Sequence, residues 1–340
     1  MPVDDATGTR VSWSCVAWWP HSRRSEAFAD ALGANLHCIY YSRFQSRALA
    51  PFRYALQAIH TLWVLGKEHP VTVHVQNPPF VCGLVVYLYS LMAGAKFVLD
   101  HHSAAFAGVW DKVLPIQRFV ARRALTNIVT SRHWAERIHD WKASAFVMSD
   151  PFLPLPPGQT FQTEPGFSIA FVCTFSPDEP YDEVLRAVSH LPDVHFYITG
   201  KPDPAILDRL GRLPSNVTLT RFLPDAQYIG LLRSVDAVMA LTTRDHTLQL
   251  GGCEAVSAGK PLLTSDWPFL REVFPRGAVY TSNTSAGIRQ AVIVMQREHV
   301  RLRSEMLRFR EDARHGWQVQ IDRLNELAVK SIHETGGERG

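Results

Sequence analysis

Two stretches of the chain bring together side chains able to do chemistry. In the second half, residues 240–274 read ALTTRDHTLQLGGCEAVSAGKPLLTSDWPFLREVF. An apolar strand, predicted over 236–241, ends in the polar turn Thr242-Thr243-Arg244-Asp245-His246-Thr247. A helix-like segment carrying Glu254 follows, then Gly259-Lys260-Pro261 and a second apolar strand. Hydroxyls, a guanidinium and the N–H groups of a helix start therefore collect where a strand ends. In parallel α/β sheets that is where phosphorylated ligands settle, because the helix terminus offers unpaired donors and a partial positive charge. Arg244 has planar, bidentate donors suited to a diphosphate. His246, Thr247, Leu248 and Gln249 fit either ligand contacts or an ordinary loop with N-capping hydroxyls. Gly251 and Gly252 would let a ligand approach the backbone closely. Glu254 is expected in the first turn, where its carboxylate could equally just stabilise the helix dipole. In the first half, Asp100-His101-His102 closes an apolar strand. Such a group could be a general base, with the carboxylate fixing a tautomer while an imidazole takes a proton near neutral pH. A zinc half-site is the second reading, but no third ligand stands at metal spacing. A satisfied structural histidine is the third.

The elements that must position these residues alternate along the chain. Strands are predicted over 11–18, 35–40, 71–75, 95–99, 127–130 and 144–148, with helical periodicity filling the gaps, for example over 24–32, 51–66, 80–93 and 116–124. Strand–helix alternation at this spacing predicts a doubly wound parallel sheet. Residues 151–166 carry five prolines and two glycines, a density that blocks helix and central strand alike and predicts a linker. The alternation then restarts, with strands over 168–173, 194–199, 216–220, 236–241, 261–264 and 278–280. Helices are predicted over 181–190, 204–213, 225–234 and 251–258, and from 286 onward. Trp317, Ile321, Leu324 and Ala328 share one helical face. The expected organisation is an N-terminal Rossmann-like domain over 1–150, the linker, a C-terminal Rossmann-like domain over 167–313, and a helix over 314–340 packing back on the first domain. Two such domains would face each other across a cleft.

A chain of 340 residues with 46% hydrophobic and 20% charged residues is an ordinary globular composition. A net charge of +3 and a pI near 8.6 are too mild to argue for nucleic acid. The five cysteines form no CxxC pair, so neither a disulfide framework nor a zinc site is suggested and a reducing, cytoplasmic location is expected. The first ten residues have no apolar core of a secretory signal. The longest apolar run, 80–95, spans 16 residues, short of the roughly 20 needed to cross a bilayer. From 40 to 63, Arg43, Arg47 and Arg53 interleave with Phe44, Phe52, Tyr54, Ile59 and Trp63. That mixture fits an interfacial helix on anionic lipid, and equally a core helix with a snorkelling basic rim. There is no GxGxxG, P-loop, HExxH or Asp-x-Asp, which removes dinucleotide, P-loop, zincin and Asp-x-Asp metal signatures.

The order of motifs resembles the GT-B glycosyltransferases. The run from Glu254 to Leu262, EAVSAGKPL, looks like the E-A-x-x-x-G-x-P-V element of glycosyltransferase family 4. Val75-Gln76-Asn77-Pro78-Pro79, Val98-Leu99-Asp100-His101-His102, Ser176-Pro177-Asp178-Glu179 and Ile198-Thr199-Gly200-Lys201 are similar, in the same order, to stretches of the chitobiosyldiphosphodolichol β-mannosyltransferases. The resemblance spans residues 70 to 280. It implies the GT-B fold, with a nucleotide sugar (GDP- or UDP-linked) as donor on the C-terminal domain and a saccharide or lipid-linked acceptor on the N-terminal one. It further implies a glycosyltransferase working without a metal or cofactor, acting in polysaccharide assembly, and cytoplasmic or peripheral on the inner membrane face. Glu254 would grip the ribose, with donor contacts from Arg244, His246, Thr247, Leu248, Gln249, Gly251, Gly252, Thr174, Gly200 and Lys201. His101 is favoured over His102 as the base beside Asp100. Ser22, Arg23 and Arg24 would make the anion pocket of a lipid-linked diphosphate acceptor, against a plain solvated loop. The chain departs from family 4 where a second Glu is expected eight residues before Glu254: His246 stands there. The usual basic residue after the first strand of the second domain is also missing, so Lys201, Arg221 or Arg244 would carry the phosphate charge. A nucleotide-sugar epimerase of the same shape and a non-catalytic GT-B scaffold are the alternatives.

Overall fold

The computed structural model describes residues 11–42, 46–106 and 113–337. Arg43 and Phe44 lie outside them, as does the side chain of Arg47. The chain divides into two compact units, the first made of residues 1–151 and 316–340, the second of 152–315.

The first unit holds a six-stranded parallel sheet in the order β2-β1-β3-β4-β5-β6. Its strands are β1 (Trp13–Ala17), β2 (Asn35–Cys38), β3 (Thr72–Asn77), β4 (Lys96–His101), β5 (Thr126–Val129) and β6 (Ala145–Val147). Every residue of β1, β3 and β5 is buried, the signature of a parallel strand covered on both faces. Between the strands run α1 (Arg23–Leu32), α2 (Ala50–Glu68), α3 (Phe80–Ala93), α4 (Leu114–Ala121) and α5 (Arg132–Asp140). Along each strand, side chains alternate between two cores. One packs Val16, Val75 and Leu99 against α2, α3 and α4 through Leu65, Val86 and Val120. The other packs Cys15, Val98 and Ile128 against Phe28 of α1 and against Ile321, Leu324 and Ala328.

Those last three residues belong to α11 (Ser285–Gly337), one continuous helix of 53 residues whose part beyond His315 belongs to the first unit. The indole of Trp13 donates to the Asn325 side chain at 2.9 Å, adding a polar tie to that packing.

The second unit repeats the plan in the order β12-β11-β10-β7-β8-β9, which is the Rossmann order read from its far edge. Its strands are β7 (Phe167–Phe171), β8 (Val194–Thr199), β9 (Val217–Arg221), β10 (Ala237–Ala240), β11 (Leu262–Ser265) and β12 (Ala278–Thr281). Its helices are α6 (Tyr181–Val188), α7 (Pro204–Leu210), α8 (Asp225–Ser234), α9 (Leu250–Ala258), α10 (Pro268–Val273) and the start of α11. The proline-rich stretch has no regular secondary structure and is fastened along this unit rather than hanging as a tether. Phe152 is buried, Gln159 N–H donates to the Ala226 carbonyl at 2.8 Å, and Arg233 donates to the Leu155 carbonyl at 2.8 Å.

Candidate functional site

In a doubly wound sheet, the loops at the carboxyl ends of the strands diverge where strand order reverses, and ligands enter there. In the second unit the reversal lies between β7 and β10. The two loops that follow these strands are residues 172–180 and 241–249, and Asp178 ties them together. Its carboxylate accepts from Thr242 Oγ1 at 3.1 Å, and its carbonyl accepts from Thr243 N–H at 2.7 Å. Thr242 is anchored further: its N–H donates to Ser265 Oγ at 2.9 Å, and its carbonyl accepts from the Trp267 indole and the Asn283 amide. Glu179 organises the β7 loop, accepting from the N–H groups of Thr174 (2.9 Å) and Ser176 (2.8 Å) and from the Thr174 hydroxyl. Gly200, at the end of β8, has φ +78°, and a Cβ there would stand 2.2 Å from the Cys173 carbonyl oxygen. Only glycine allows this approach of β8 to the β7 loop. None of Asp178, Thr242, Ser265 and Asn283 stood out in the sequence as a unit, because their partners are 18 to 64 residues apart.

Helix α9 opens from the β10 loop, and its N-cap residue Gln249 makes no side-chain cap. Its first N–H groups are thus the kind of donors an anion completes. The two glycines have a packing role. A Cβ on Gly251 would meet Val172 at 2.7 Å, and one on Gly252 the Phe274 ring at 2.7 Å. They seat α9 on the sheet and on Phe274. Glu254 is displaced from expectation: the helix begins at Leu250, so Glu254 starts the second turn. The Tyr228 hydroxyl of α8 donates to its carboxylate. A carboxylate accepts several hydrogen bonds, so this contact fixes its direction without exhausting it.

Arg244 is exposed, and its N–H donates to Thr242 Oγ1 at 3.1 Å. His246 has φ +52° and sits 3.7 Å from the Asp245 carboxylate. Thr247 and Gln249 are half-buried, and Leu248 packs on the core beneath. Lys201 follows Gly200 and lines a cavity of about 370 Å³ with Arg221, Asp203 and Leu207.

In the first unit the strand periodicity separates the histidine pair. Asp100 and His102 point to one face and His101 to the other. His101 is fully buried, stacked on Phe106 with ring centroids 5.4 Å apart. Asn127 gives both its amide hydrogens to the carbonyls of Ala121 and Ser144, so its Oδ1 must accept from His101 Nε2–H at 2.9 Å. The amide of Asn77 then donates to His101 Nδ1 at 2.9 Å. Burial pushes this imidazole down to about 4, so it is a neutral core group. With both ring nitrogens engaged, His101 has none to offer a hydroxyl, and the general-base reading does not hold for it.

Asp100 is also fully buried, and Arg24 grips it with Nε at 2.8 Å and Nη2 at 3.0 Å. Arg24 reaches Asp150 as well, at 2.6 Å, and the carbonyls of Met148 and Ser149. Burial works against the Asp100 charge, yet Arg24 chiefly, with His74 and His102, holds its carboxyl well below the usual range. Burial opposes the Arg24 charge too, and Asp100 and Asp150 outweigh it, raising that pKa further. A guanidinium so committed cannot serve the expected acceptor anion pocket. Ser22 is committed as well, as the N-cap of α1 accepting from Ser25 N–H, while Arg23 is exposed. His102 alone of the pair keeps an open side, with its side chain 33% exposed and Nε2 3.9 Å from Asp100 Oδ2. Burial lowers its pKa, against the pull of Asp100.

Residues 182–326 match the model of a family described as glycosyl transferase-like. No curated protein matches the chain. Among solved structures, sucrose-phosphate synthase from Thermosynechococcus elongatus superposes with a TM-score of 0.71 at 12% identity, covering 95% of this chain and 100% of that one. Anabaena HepE in complex with UDP and glucose gives 0.63 at 15% identity, over 93% of this chain and 91% of that one. A putative UDP-N-acetylglucosamine 2-epimerase from Listeria monocytogenes gives 0.62 at 13% identity, over 96% and 98%. The chain therefore has the GT-B fold, two Rossmann-like doubly wound units, and carries a glycosyl transferase-like region that lies mostly in the second of them.

Proposed function

We propose that the protein is a glycosyltransferase that moves a hexosyl group from a nucleoside-diphosphate donor to an acceptor hydroxyl. The observation that carries this reading is the switch point of the second unit. There Asp178 locks the β7 and β10 loops together, α9 opens without a side-chain cap, and Glu254 follows one turn later under Tyr228. The donor diphosphate would meet the N–H groups at the start of α9, with Arg244 or Lys201 supplying cationic charge, and Glu254 would accept from the ribose hydroxyls. HepE, a protein of the same fold, was crystallised with UDP-glucose, which supports a uridine donor. Helix-terminus and cationic stabilisation would let the leaving diphosphate depart without a divalent metal.

On the first unit, His102 would be the base. Asp100 stands on its Nε2 side, so Nδ1 would take the acceptor proton while Asp100 steadies the imidazolium that forms. Neutrality at pH 7, favoured by burial, is what a base needs. The acceptor is a saccharide, carried on a polyprenyl diphosphate in our reading, at the cytoplasmic face of a membrane.

The test is a thermal-shift series with UDP, GDP, ADP and dTDP, with and without magnesium, on wild type and Glu254→Ala. A ligand at about a hundred times its dissociation constant stabilises the native state by about 2.7 kcal/mol. A shift with one nucleotide, independent of magnesium and lost in Glu254→Ala, is expected. No shift with any of the four would sink the donor assignment. His102→Ala should keep that shift and lose about 100- to 10,000-fold in turnover. The epimerase likeness, over 96% of this chain, keeps isomerisation as the second reading, and product analysis of a donor incubated with and without acceptor separates transfer from isomerisation.

A further inference from the structure

Helix α2 is apolar on its solvent side as well as on its core side. Its core side buries Val64 and Leu65 together with Gln57 and Thr61: Gln57 donates to the Ile39 carbonyl at 2.7 Å, and the Trp18 indole donates to Thr61 at 3.0 Å. Its solvent side carries the stripe Phe52, Ile59 and Trp63, spaced seven and four residues apart and exposed by 52, 66 and 56%. A helix of a soluble unit ordinarily turns such a stripe inward.

The neighbouring helices continue the pattern. Helix α3 packs beside α2 and α4 beside α3, all on one face of the first sheet. Helix α3 has no charged residue and exposes Leu91 and Met92 by 63 and 71%. The Phe119 ring of α4 meets Tyr87 of α3 at 5.5 Å and is itself 41% exposed. Exposed apolar surface running over adjacent elements marks an interaction site.

Charge decides what kind. Across α2, α3 and α4 the single acidic residue is Glu68, and it is turned to Ser14 at 2.6 Å and Asn35 at 2.9 Å. Basic residues stand among the apolar ones. Lys67 lies 4.0 Å over the Trp63 ring and Arg123 3.6 Å over the Phe119 ring, and Arg118 is exposed beside them. Aromatic rings with cations on their faces, aliphatic side chains between and no carboxylate on the three helices besides Glu68 complement a surface that is apolar beneath and anionic on top. Among the described residues no helix is long and apolar enough to cross a membrane, so the surface suits lying on one.

We propose that the outer face of α2, α3 and α4 docks on an anionic lipid bilayer. The inference is independent of the donor assignment, since it concerns other residues and a different readout.

Co-sedimentation of the full chain with vesicles tests it. Phosphatidylcholine vesicles with added phosphatidylglycerol should pellet the protein at low salt, and pure phosphatidylcholine vesicles should pellet much less. Each basic residue near an anionic surface changes partitioning about fivefold, so Arg118→Gln with Arg123→Gln should weaken it about 25-fold, and rising salt should do the same. Ile59→Ser, Trp63→Ser and Leu91→Ser together should abolish pelleting while leaving the thermal midpoint in place, since all three side chains are exposed. Equal pelleting with neutral and anionic vesicles, wild-type behaviour of the serine variant, or no pelleting at all would overturn the proposal. So would a dimer seen by sedimentation velocity that the serine substitutions disperse, because the face would then belong to a second copy of the chain.

Discussion

His101 offers the sharpest test of how the first unit is built. Its imidazole is neutral in the fold, held down to about 4 from an ordinary 6.5 by burial. The unfolded chain therefore binds a proton that the folded one refuses. Stability from this group is fully present above pH 6.5 and is lost as pH falls toward 4. At about 1.4 kcal/mol per pKa unit, the loss between pH 7.5 and 4 is about 3 kcal/mol, a large share of the ~5–15 kcal/mol that holds a typical domain. His101→Gln keeps an amide able to donate and accept between Asn77 and Asn127, so at pH 7.5 it should cost about 1–3 kcal/mol through imperfect hydrogen bonds. At pH 4 that cost should vanish or reverse, because the titrating group is gone. Urea unfolding followed by tryptophan fluorescence reads both, with Trp141 6.2 Å from the His101 ring as a local reporter. An acid limb equally steep in wild type and variant would refute the argument, as would an NMR titration placing the His101 pKa near 6.5.

Other perturbations follow from the same geometry. Arg24→Met leaves the buried Asp100 carboxylate without its partner and should destabilise by about 3–5 kcal/mol, with Asp100→Asn restoring part of that in the double variant, as unfolding midpoints would show. Gly252→Ala drives a methyl into the Phe274 ring, 2.7 Å from where it would sit, and should cost about 1–3 kcal/mol, relieved when Phe274 is changed to Leu. Glu179→Gln weakens three contacts to residues 174 and 176. A fall in the second unit's melting temperature is expected, measured by calorimetry, and an unchanged melting profile would deny the loop its organiser.

How much of this was legible in the sequence depended on the range of the interactions. Strand β8 and helices α3 and α8 have the predicted bounds, because their apolar pattern is local and unbroken. Helix α5 was expected only as filling the gap between two strands, without bounds: Ala135 and Ile138 are its buried residues, too few to set a period. The separation of His101 from His102 was readable in principle, since period-two alternation along a strand puts Asp100 with His102. The clamp of Arg24 on Asp100 was not, because they stand 76 positions apart and nothing local in Ser22-Arg23-Arg24 distinguishes a core arginine from a phosphate-binding one. The packing role of Gly251 and Gly252 was hidden for the same reason. Their neighbours Val172 and Phe274 come from other elements, and a glycine facing a ligand looks identical in sequence to one facing a ring.

The return of the chain to the first unit at Gly316 bears on how the protein is made. Trp13 and Phe28 leave the ribosome long before Ile321, Leu324 and Ala328, which complete their core. At ~5–20 residues per second, those partners arrive about 15–60 s later, after the whole of the second unit has been synthesised. One face of the first sheet must therefore wait, incompletely covered, while its intervening neighbour emerges and folds. The nascent first unit is a natural client for chaperones over that interval, and a stop codon before residue 316 would strike the domain at the opposite end of the gene.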